Sequence, residues 1–368
     1  MSNILITGSD GFISKNLIQR LKGTDHSLFL YSKKNTFDFL DNALLQADII
    51  YHFAGVNKSI HKEDFKRVNI DLTQYIIEFI EKNNLKIRII FSSSTQADLN
   101  NIYGLSKLKA EELLSKYAKK TNNQVFIYRL NGIFGKWSKP DYNSVVSTFC
   151  HRIINSLPTK IEGPDKKLTL TYIDDLVDDF MEDIISKTNK KVSYIKPSKK
   201  YVITVKKIYE TIHTFDQARK NFMSENVGSG INRKLYATYL SYLSKESFIY
   251  DLLEHNDDRG KFVEILKLKN NGQLSFITIK PNQSRGNHYH HTKSEKFIVL
   301  KGNVKFNFVN IMTDEEVFFN LSDNCSQVIE SIPGWNHELI NESPQEAIVV
   351  IWANEIYNPM KHDTYQKI

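Results

Sequence analysis

The stretch NILITGSDGF, residues 3–12, decides the fold of the first part of the chain. NILIT has the apolar content of a short buried strand, GSDG is a turn, and the following FISKNLIQRL has helical spacing of its apolar residues. A strand, a glycine turn and a helix begin a dinucleotide-binding fold, in which Gly8 permits the tight turn and Gly11 lets the backbone approach a pyrophosphate. Ser14 takes the third small position of that pattern. The cofactor-binding residues predicted in this segment are Thr7, Gly8, Asp10, Gly11, Phe12 and Ile13.

Strands and helices alternate after this segment. Apolar strands are predicted in SLFLYS, IIYHFAG and IRIIFSSST, and an amphipathic helix in VNIDLTQYIIEFIEKN. This rhythm is typical of a parallel, doubly wound sheet. The predicted fold class of this part is therefore α/β, of the Rossmann type.

The end of the second predicted strand indicates which cofactor binds. Ser32 is followed by Lys33 and Lys34, at a position where NAD-binding domains usually carry an acid that holds the ribose 2′-hydroxyl. Two lysines suit a 2′-phosphate instead, so we expect NADPH rather than NADH, with a solvated loop as the alternative interpretation. The predicted cofactor site comprises Ser32, Lys33 and Lys34 here, and further along the chain Ala54, Gly55, Asn69, Tyr103 and Lys107.

Tyr103 and Lys107 are four residues apart, on one face of a predicted helix. An ammonium beside a phenol lowers the pKa of the phenol toward working pH and can also hold the nicotinamide ribose. Ser94, at the end of the preceding strand, can polarise a carbonyl group. The Tyr-x-x-x-Lys spacing is common by chance. Here, however, it follows a strand that ends in SSS, and the chain begins with a strand and a glycine turn. These three are the predicted catalytic residues.

Residues 1–245 resemble an extended short-chain dehydrogenase/reductase acting on nucleotide sugars, through HFAGVN, YGLSKLKAEELL, YRLNGIFG and LTYIDDLVDD. The resemblance implies that Tyr103 is the general acid, that Lys107 is its partner and that Ser94 is the carbonyl donor. It also implies that the segment from Arg129 to Gly135, including Asn131, lines the sugar-nucleotide pocket. Sugar 4,6-dehydratases of this class place a carboxylate beside the active-site hydroxyl, where this chain has Gln96. Dehydration therefore lacks its acid, and the resemblance leaves two reactions, reduction of a keto-sugar or 4-epimerisation.

Composition fits a soluble, two-domain protein. The chain has 368 residues, 41% hydrophobic and 25% charged, and a net charge of +7. Its basic residues are spread along the chain, which favours small anionic ligands over nucleic acid. Two distant cysteines, no signal peptide and no apolar run of membrane-spanning length predict a cytoplasmic protein without a membrane partner.

The pattern changes to short alternating segments after about residue 250. KFVEILKL, QLSFITI, KFIVLKGNVKFNFVNI, EEVFFNLS and AIVVIWANEIY, separated by turn-forming stretches, predict an all-β domain over 252–368. An antiparallel barrel or jelly roll closes such a domain. Within it lies GNHYHHTKSE, in which His288 and His290 are two residues apart and share a strand face.

Three histidines and a carboxylate that converge in a barrel can hold a divalent metal, with Zn, Mn, Fe and Ni all conceivable and zinc expected. The predicted ligands are His288, His290, Glu295 and His337; His291 has the opposite parity and is not expected to bind. The pattern resembles the cupin family, because Gly302 and the Gly334, His337, Asn341 series also match, although Pro333 is one place late. NDDRGKFVEI further resembles nucleotide-sugar 3,5-epimerases, which implies that Arg259 contacts the nucleotide phosphates.

The order of the two parts, with SSSTQA, NSVVSTFC and GNHYHHTKSEKF, resembles the CapF family of bifunctional enzymes of capsular polysaccharide synthesis. The resemblance implies a homodimer whose cupin epimerises C3 of a UDP-2-acetamido-2,6-dideoxy-4-hexulose. The reductase would then reduce the C4 ketone with NADPH to a UDP-2-acetamido-2,6-dideoxy-L-talose, on the route to UDP-N-acetyl-L-fucosamine. The predicted site residues that contact this substrate are Gln96, Arg129, Asn131 and Arg259.

The sequence leaves three other functions open. The cupin could be structural or dimerising in a single-function reductase, the first part could be an NAD-dependent 4-epimerase, or the chain could be a sugar-nucleotide sensor. The base for C3 epimerisation is also open among His291, Lys280 and Lys293.

Overall fold

The structure, a computed structural model, describes residues 1–186, 188–221, 223–251, 254–257, 260–263, 267–268, 273–355, 360 and 362–366. It divides into two compact units. The first unit comprises Met1–Ile133 and Thr169–Val202, and the second comprises Phe134–Leu168 and Ile203–Ile368. The predicted domains, 1–245 and 252–368, are defined by fold type along the chain rather than by compactness, and they stay a prediction.

The first unit is built on a parallel sheet. The first nine strands of the chain are β1 Asn3–Thr7, β2 Ser27–Tyr31, β3 Ile49–His52, β4 Arg88–Ser94, β5 Val125–Leu130, β6 Gly132–Phe134, β7 Lys167–Tyr172, β8 Val192–Ile195 and β9 Tyr201–Thr204. Six of them form one sheet in the order β2-β1-β3-β4-β5-β8, with every pair parallel, while β6, β7 and β9 form a small separate sheet. The predicted doubly wound α/β fold is thereby confirmed.

Nine described α-helices lie between or after these strands. Those in chain order are α1 Phe12–Leu21, α2 Phe37–Gln46, α3 Glu63–Lys66, α4 Leu72–Lys82, α5 Ile102–Thr121, α6 Val145–Ile154, α7 Ile173–Ile185, α8 Val205–Lys220 and α9 Gly230–Leu240. A π-helical turn, Arg67–Asp71, joins α3 to α4. Helix α5 begins where the Asn101 side chain accepts a hydrogen bond from the Gly104 amide at 2.8 Å. On one face of the sheet, fully buried aliphatic side chains from four adjacent strands form a core with α2, α4 and α5.

The second unit contains the antiparallel part. Its strands are β10 Met223–Ser224, β11 Ile249–Asp251, β12 Glu254–Asp257, β13 Gly260–Val263, β14 Lys267–Leu268, β15 Gln273–Ile279, β16 Ser284–Tyr289, β17 Glu295–Lys301, β18 Asn303–Asn310, β19 Glu316–Ser322, β20 Gln327–Glu330, β21 Trp335–Asn341, β22 Ala347–Ala353 and β23 Tyr365–Gln366. Two five-stranded sheets have the orders β11-β20-β17-β22-β15 and β19-β18-β21-β16-β23. The predicted antiparallel β architecture is confirmed.

Both five-stranded sheets contribute to one core. Phe297 and Val349 come from the first sheet, and Phe306, Phe308 and Leu339 come from the second. This shared core fixes the facing positions of β16, β17 and β21, which carry the histidines and the carboxylate. Among the described residues, no helix is long and apolar enough to cross a membrane.

Candidate active site and candidate metal centre

The glycine turn between β1 and α1 has the geometry that its sequence predicts. Gly8 has φ +68°, and a Cβ there would lie 2.7 Å from the Cα of Ala54 at the end of β3. The Gly11 amide donates to the Gly8 carbonyl at 2.8 Å, and the Ser14 hydroxyl donates to the same oxygen at 2.7 Å. The backbone is therefore held close to β3, and the first turn of α1 begins immediately after it, as a pyrophosphate site requires.

Lys33 and Lys34 follow β2 and are exposed. The Lys34 ammonium lies 3.9 Å from the carboxylate of Asp10 in the glycine turn. The Ser32 amide and hydroxyl both donate to the Asn35 side chain, which shapes this bend. Lys34 thus lies beside the turn, and both exposed lysines are available to an anionic group.

Lys107 is buried against the ends of β3 and β4. Its ammonium donates to the Ser92 carbonyl at 2.7 Å and lies 4.6 Å from the centre of the Phe91 ring. A Cβ on Gly55 would lie 3.2 Å from the Lys107 ammonium and from the Asn69 side-chain oxygen, so the glycine provides the space. Burial lowers the pKa of Lys107 from 10.5 to about 8, although the charge of Glu111 opposes this shift.

Tyr103 is half-buried in the first turn of α5, one turn before Lys107. The next residue, Gly104, is packed so tightly that a Cβ would lie 2.0 Å from the Gln96 carbonyl oxygen. Ser94 ends β4, and its hydroxyl accepts from the Gln96 amide at 3.1 Å. The start of α5 therefore lies directly on the turn that follows Ser94, which brings together the segments that carry the predicted catalytic residues.

Arg129 and Asn131 lie at the end of β5, in different environments. The Arg129 guanidinium binds the buried Glu111 carboxylate through Nε and Nη2, and Asp98 through Nη1 at 2.6 Å. These ion pairs occupy the side chain that the sequence analysis expects to line the sugar-nucleotide pocket. Asn131 accepts from Thr171 at 3.0 Å, and its buried Nδ2 has no hydrogen-bond partner among the described residues. Asn131 thus offers a donor, whereas Arg129 is engaged.

The four predicted metal ligands come together in the second unit. One donor atom each from His288, His290, Glu295 and His337 lies within 4.8 Å of the others. The Glu295 Oε2 atom is 3.2 Å from the Nε2 atoms of His290 and of His337. These residues come from β16 and the turn after it, from β17 and from β21, so the barrel itself causes their convergence. Three imidazoles and a carboxylate are a donor set that fits zinc and other divalent transition metals.

Ionisation in this cluster matches what metal binding needs. Burial lowers the pKa of His288 to about 3, with His337 and His290 contributing, and burial also lowers the pKa of His337. Burial opposes ionisation of Glu295, but His290 and His337 hold the pKa of its carboxyl well below the usual range. The neutral forms of His288 and His337 and the ionised form of Glu295 are the ones that coordinate a cation.

The candidate bases for epimerisation differ in their relation to this cluster. The Lys293 ammonium lies 2.6 Å from the Glu295 Oε1 atom and is largely buried, whereas Lys280 is exposed. His291 is buried outside the four-residue cluster, with its ring 4.9 Å from that of Tyr365. The Arg259 prediction falls outside the described residues.

Comparisons with known proteins agree with this two-part organisation. Residues 4–182 match the NAD dependent epimerase/dehydratase family, and residues 255–365 match the polysaccharide biosynthesis C-terminal domain. A UDP-2-acetamido-2,6-beta-L-arabino-hexul-4-ose reductase of Pseudomonas aeruginosa is 40% identical over 365 residues, 98% of this chain and 97% of that protein. The crystal structure of the capsular polysaccharide assembling protein CapF of Staphylococcus aureus is 35% identical, with a TM-score of 0.66 and 99% of both chains covered. This chain belongs to the CapF family of nucleotide-sugar reductases and epimerases.

A more distant likeness shows the fold alone. The UDP-glucuronic acid 4-epimerase of Bacillus cereus, solved in complex with NAD, is 21% identical, with a TM-score of 0.52, and covers 58% of this chain. That coverage is consistent with a CapF-family architecture in which a reductase fold is extended by a further β part.

This CapF-family chain also contains a functional candidate that the sequence analysis missed. His52, fully buried at the end of β3, bonds Thr7 through Nδ1 at 2.8 Å and Thr73 through Nε2 at 2.9 Å. Since the Thr73 hydroxyl donates to the Asn69 carbonyl, it accepts from His52, which places the proton on Nε2. Burial, and then the charge of Lys107, lowers the pKa of His52 to about 3. A neutral histidine thus links the glycine turn to Asn69, and the polar residue ending the apolar strand IIYH was its only sequence signal.

Proposed function

We propose that this protein is a bifunctional nucleotide-sugar enzyme of capsule or other surface polysaccharide synthesis. Its β part epimerises C3 of a UDP-2-acetamido-2,6-dideoxy-4-hexulose, and its Rossmann part reduces the C4 ketone with NADPH. The product is a UDP-2-acetamido-2,6-dideoxy-L-talose, from which a separate enzyme reaches UDP-N-acetyl-L-fucosamine by inverting C2. The observation that carries the proposal is the convergence of four metal-binding side chains in a chain that also has a buried lysine one helical turn from Tyr103.

In the reduction, the Tyr103 phenol gives its proton to the C4 oxygen, and the Ser94 hydroxyl polarises the same carbonyl. Lys107 supplies positive charge beside the phenol and can bond the nicotinamide ribose. Bound NADPH supplies the hydride to C4. The exposed Lys33 and Lys34 beside the glycine turn favour the 2′-phosphate form of the cofactor. The orphan Nδ2 of Asn131 supports a role in holding the sugar.

In the epimerisation, the hydrogen on C3 is acidic because it lies α to the C4 ketone. His288, His290, Glu295 and His337 would hold a divalent cation, which supplies Lewis-acid stabilisation of negative charge on oxygen when bound. Lys293, which touches Glu295, holds the second carboxylate oxygen and leaves the first directed at the histidines. Reduction of C4 afterwards removes the acidity of C3 and fixes its configuration, a chemical reason for joining both activities in one chain.

The test is to incubate the protein with the UDP-linked 4-keto sugar in D₂O without NADPH and to follow deuterium at C3 by NMR. We expect incorporation in the wild type and in Tyr103→Phe, because loss of the phenol affects the reduction alone. NADPH oxidation in Tyr103→Phe should fall about 10²–10⁴-fold. Tyr194→Phe, which removes the hydroxyl of a tyrosine exposed on β8, is the matched control and should retain both activities.

The outcomes separate the alternatives. Loss of C3 exchange in Tyr103→Phe would contradict the division of labour between the two parts. Exchange that persists in a His288→Ala, His290→Ala protein would remove the metal cluster from the epimerisation. No exchange in the wild type, with NADPH still consumed, would leave a single-function keto-sugar reductase.

One observation favours a structural role for the metal as the second candidate. Four protein donors fill a tetrahedral coordination sphere, and closed four-coordinate zinc sites are typically structural, whereas catalytic zinc keeps an open position. X-ray absorption spectra of the zinc-loaded protein with and without the keto-sugar distinguish the two. A change in the coordination shell on adding substrate supports the catalytic role, and an unchanged shell supports the structural one.

A further inference from the structure

The turn that follows β16 connects two of the candidate metal ligands, His290 and Glu295. Its ends are tied by Asn354, whose side chain accepts from the Ser294 amide at 3.1 Å and donates to the Thr292 carbonyl at 3.2 Å. Within this turn, the backbone amides of residues 291–293 all point to one side, toward the same carboxylate. Three successive amides in such an arrangement form a concave anion-binding site.

The carboxylate of Asp363 fills that concave site. Its Oδ1 accepts from the His291 amide at 2.9 Å, and its Oδ2 accepts from the amides of Thr292 and Lys293 at 2.6 and 2.7 Å. The Thr292 hydroxyl adds a fourth hydrogen bond at 2.6 Å. Asp363 is 9% exposed, so these bonds are shielded from water.

Asp363 also contacts a ligand directly. Its backbone carbonyl accepts a hydrogen bond from Nδ1 of His290. Because Nδ1 is engaged with this carbonyl, Nε2, which lies 3.2 Å from the Glu295 Oε2 atom, is the ring nitrogen that would bind a metal. Just beyond Asp363, β23 pairs with β16, with Gln366 opposite His288. One short C-terminal segment, residues 362–366, therefore contacts the strand and the turn that carry two of the four ligands.

We propose that Asp363 is a positioning residue of the metal centre, which holds the 290–294 turn through its carboxylate and sets the tautomer of His290 through its carbonyl. The inference rests on the metal centre of the proposed function and adds a residue that lies 68 positions beyond Glu295. Hydrogen-bond partners of ligating histidines typically contribute about 10–100-fold to metal affinity. Asp363 combines such a contact with four bonds that orient the turn, so we expect an effect in the upper part of that range.

The experiment compares Asp363→Asn and Asp363→Ala with the wild type. Glu355→Ala is the matched control: Glu355 and Asp363 both pair with Arg233, at 2.7 and 3.4 Å, but Glu355 makes none of the bonds to the turn. Zn²⁺ affinity is measured by competition with a chromophoric chelator. In the Zn²⁺-loaded proteins, long-range ¹H–¹⁵N NMR measures which His290 nitrogen keeps its proton.

We expect Asp363→Ala to bind Zn²⁺ at least 10-fold more weakly and to lose the single Nδ1–H tautomer of His290, while Glu355→Ala matches the wild type. Asp363→Asn should be intermediate, because its oxygen can replace Oδ2 but its amide nitrogen would oppose the His291 amide. If Asp363→Ala does not fold, the Asn variant carries the test.

Zn²⁺ affinity within twofold of the wild type in both variants, with the tautomer unchanged, would overturn the role of Asp363. A wild type that binds no Zn²⁺ would instead overturn the metal centre and its positioning residue together. A fall in affinity of the same size in Glu355→Ala would assign the effect to Arg233 and would also overturn the proposal.

Discussion

Replacing Lys107 by methionine should remove the reduction and, at neutral pH, slightly increase the stability of the fold. The fall of its pKa from 10.5 to about 8 corresponds to about 3 kcal/mol by which folding disfavours the ammonium form. The ammonium also bonds the Ser92 carbonyl at 2.7 Å, and leaving that buried oxygen without this donor costs about 1–3 kcal/mol. Removing the ammonium cost and losing the hydrogen bond together leave Lys107→Met more stable than the wild type by about 1 kcal/mol in the free energy of unfolding at pH 7.

The pH dependence of the free energy of unfolding separates the cost of burying the Lys107 ammonium from other effects of the substitution. In the wild type, the folded state releases the Lys107 proton at about pH 8 and the unfolded state at about 10.5, so the unfolded state binds more protons in between. Wild-type stability therefore rises with pH across this window, and the variant lacks that increase. The advantage of Lys107→Met should shrink by about 1 kcal/mol from pH 7 to pH 9. Glu111 on the same helix opposes the shift, and the neutral His52 on β3 does not titrate in this range.

Paired thermal unfolding of the cofactor-free proteins at pH 7 and pH 9 measures this difference, at about 2–4 °C per kcal/mol for a unit of this size. Lys109→Met is the matched control: Lys109 lies on the same helix, is exposed, and pairs with Glu112 at 3.1 Å. Its stability difference from the wild type should be small at both pH values. A loss of more than 2 kcal/mol in Lys107→Met at pH 7, or a difference that is equal at pH 7 and 9, would refute the reasoning that burial depresses this pKa.

Two further substitutions test the scaffold of each site. Gly8→Ala puts a Cβ 2.7 Å from the backbone of Ala54 at a residue with φ +68°, which distorts the turn. NADPH affinity, measured by fluorescence titration, should therefore fall more than 10-fold. Wild-type affinity would contradict the argument that the turn requires glycine. Glu330→Ala leaves the buried cations of Lys296 and Arg219 without their shared carboxylate. The free energy of unfolding, measured in urea, should fall by about 3–5 kcal/mol, and a fall below about 1 kcal/mol would show that these ion pairs are not buried in solution.

Local patterns were sufficient for the fold and for the metal cluster. Apolar strands that alternate with amphipathic helices predict a parallel sheet without any knowledge of long-range contacts. The segments after residue 270, in which apolar and polar residues alternate, predict an antiparallel sheet. His288 and His290 share a strand face, and Glu295 follows within one turn, so their proximity is almost a local property. His337 lies far from the other three in sequence, but β21 pairs directly with β16, with His288 opposite His337, so strand register brings it to them.

Residues that act through distant partners could not be found in this way. Asp363 reaches the 290–294 turn only because the chain returns to pair with β16, and no spacing in the sequence records that return. The role of His52 could not be predicted for a different reason. A polar residue at the end of a buried strand fits many roles, and only its hydrogen bonds to Thr7 and Thr73 identify this one. The place of Arg129 in the substrate pocket stays a prediction from family resemblance, and its ion pair with Glu111 on α5 could not be read from the sequence.

The position of Arg129 nevertheless matters for the chemistry at Lys107. Burial lowers the pKa of Lys107, and the charge of Glu111, one turn further along α5, acts to raise it. Its carboxylate, however, is bound by the Arg129 guanidinium through two nitrogens and also accepts a hydrogen bond from Ser93. The negative charge is thereby balanced on the side of β5, and Lys107 retains an ammonium whose buried neighbours are a carbonyl oxygen and a ring face. A cation draws a phenol toward ionisation and attracts a bound ribose more strongly when the nearby carboxylate is neutralised by another partner, so we expect the Arg129 ion pair to favour both roles proposed for Lys107.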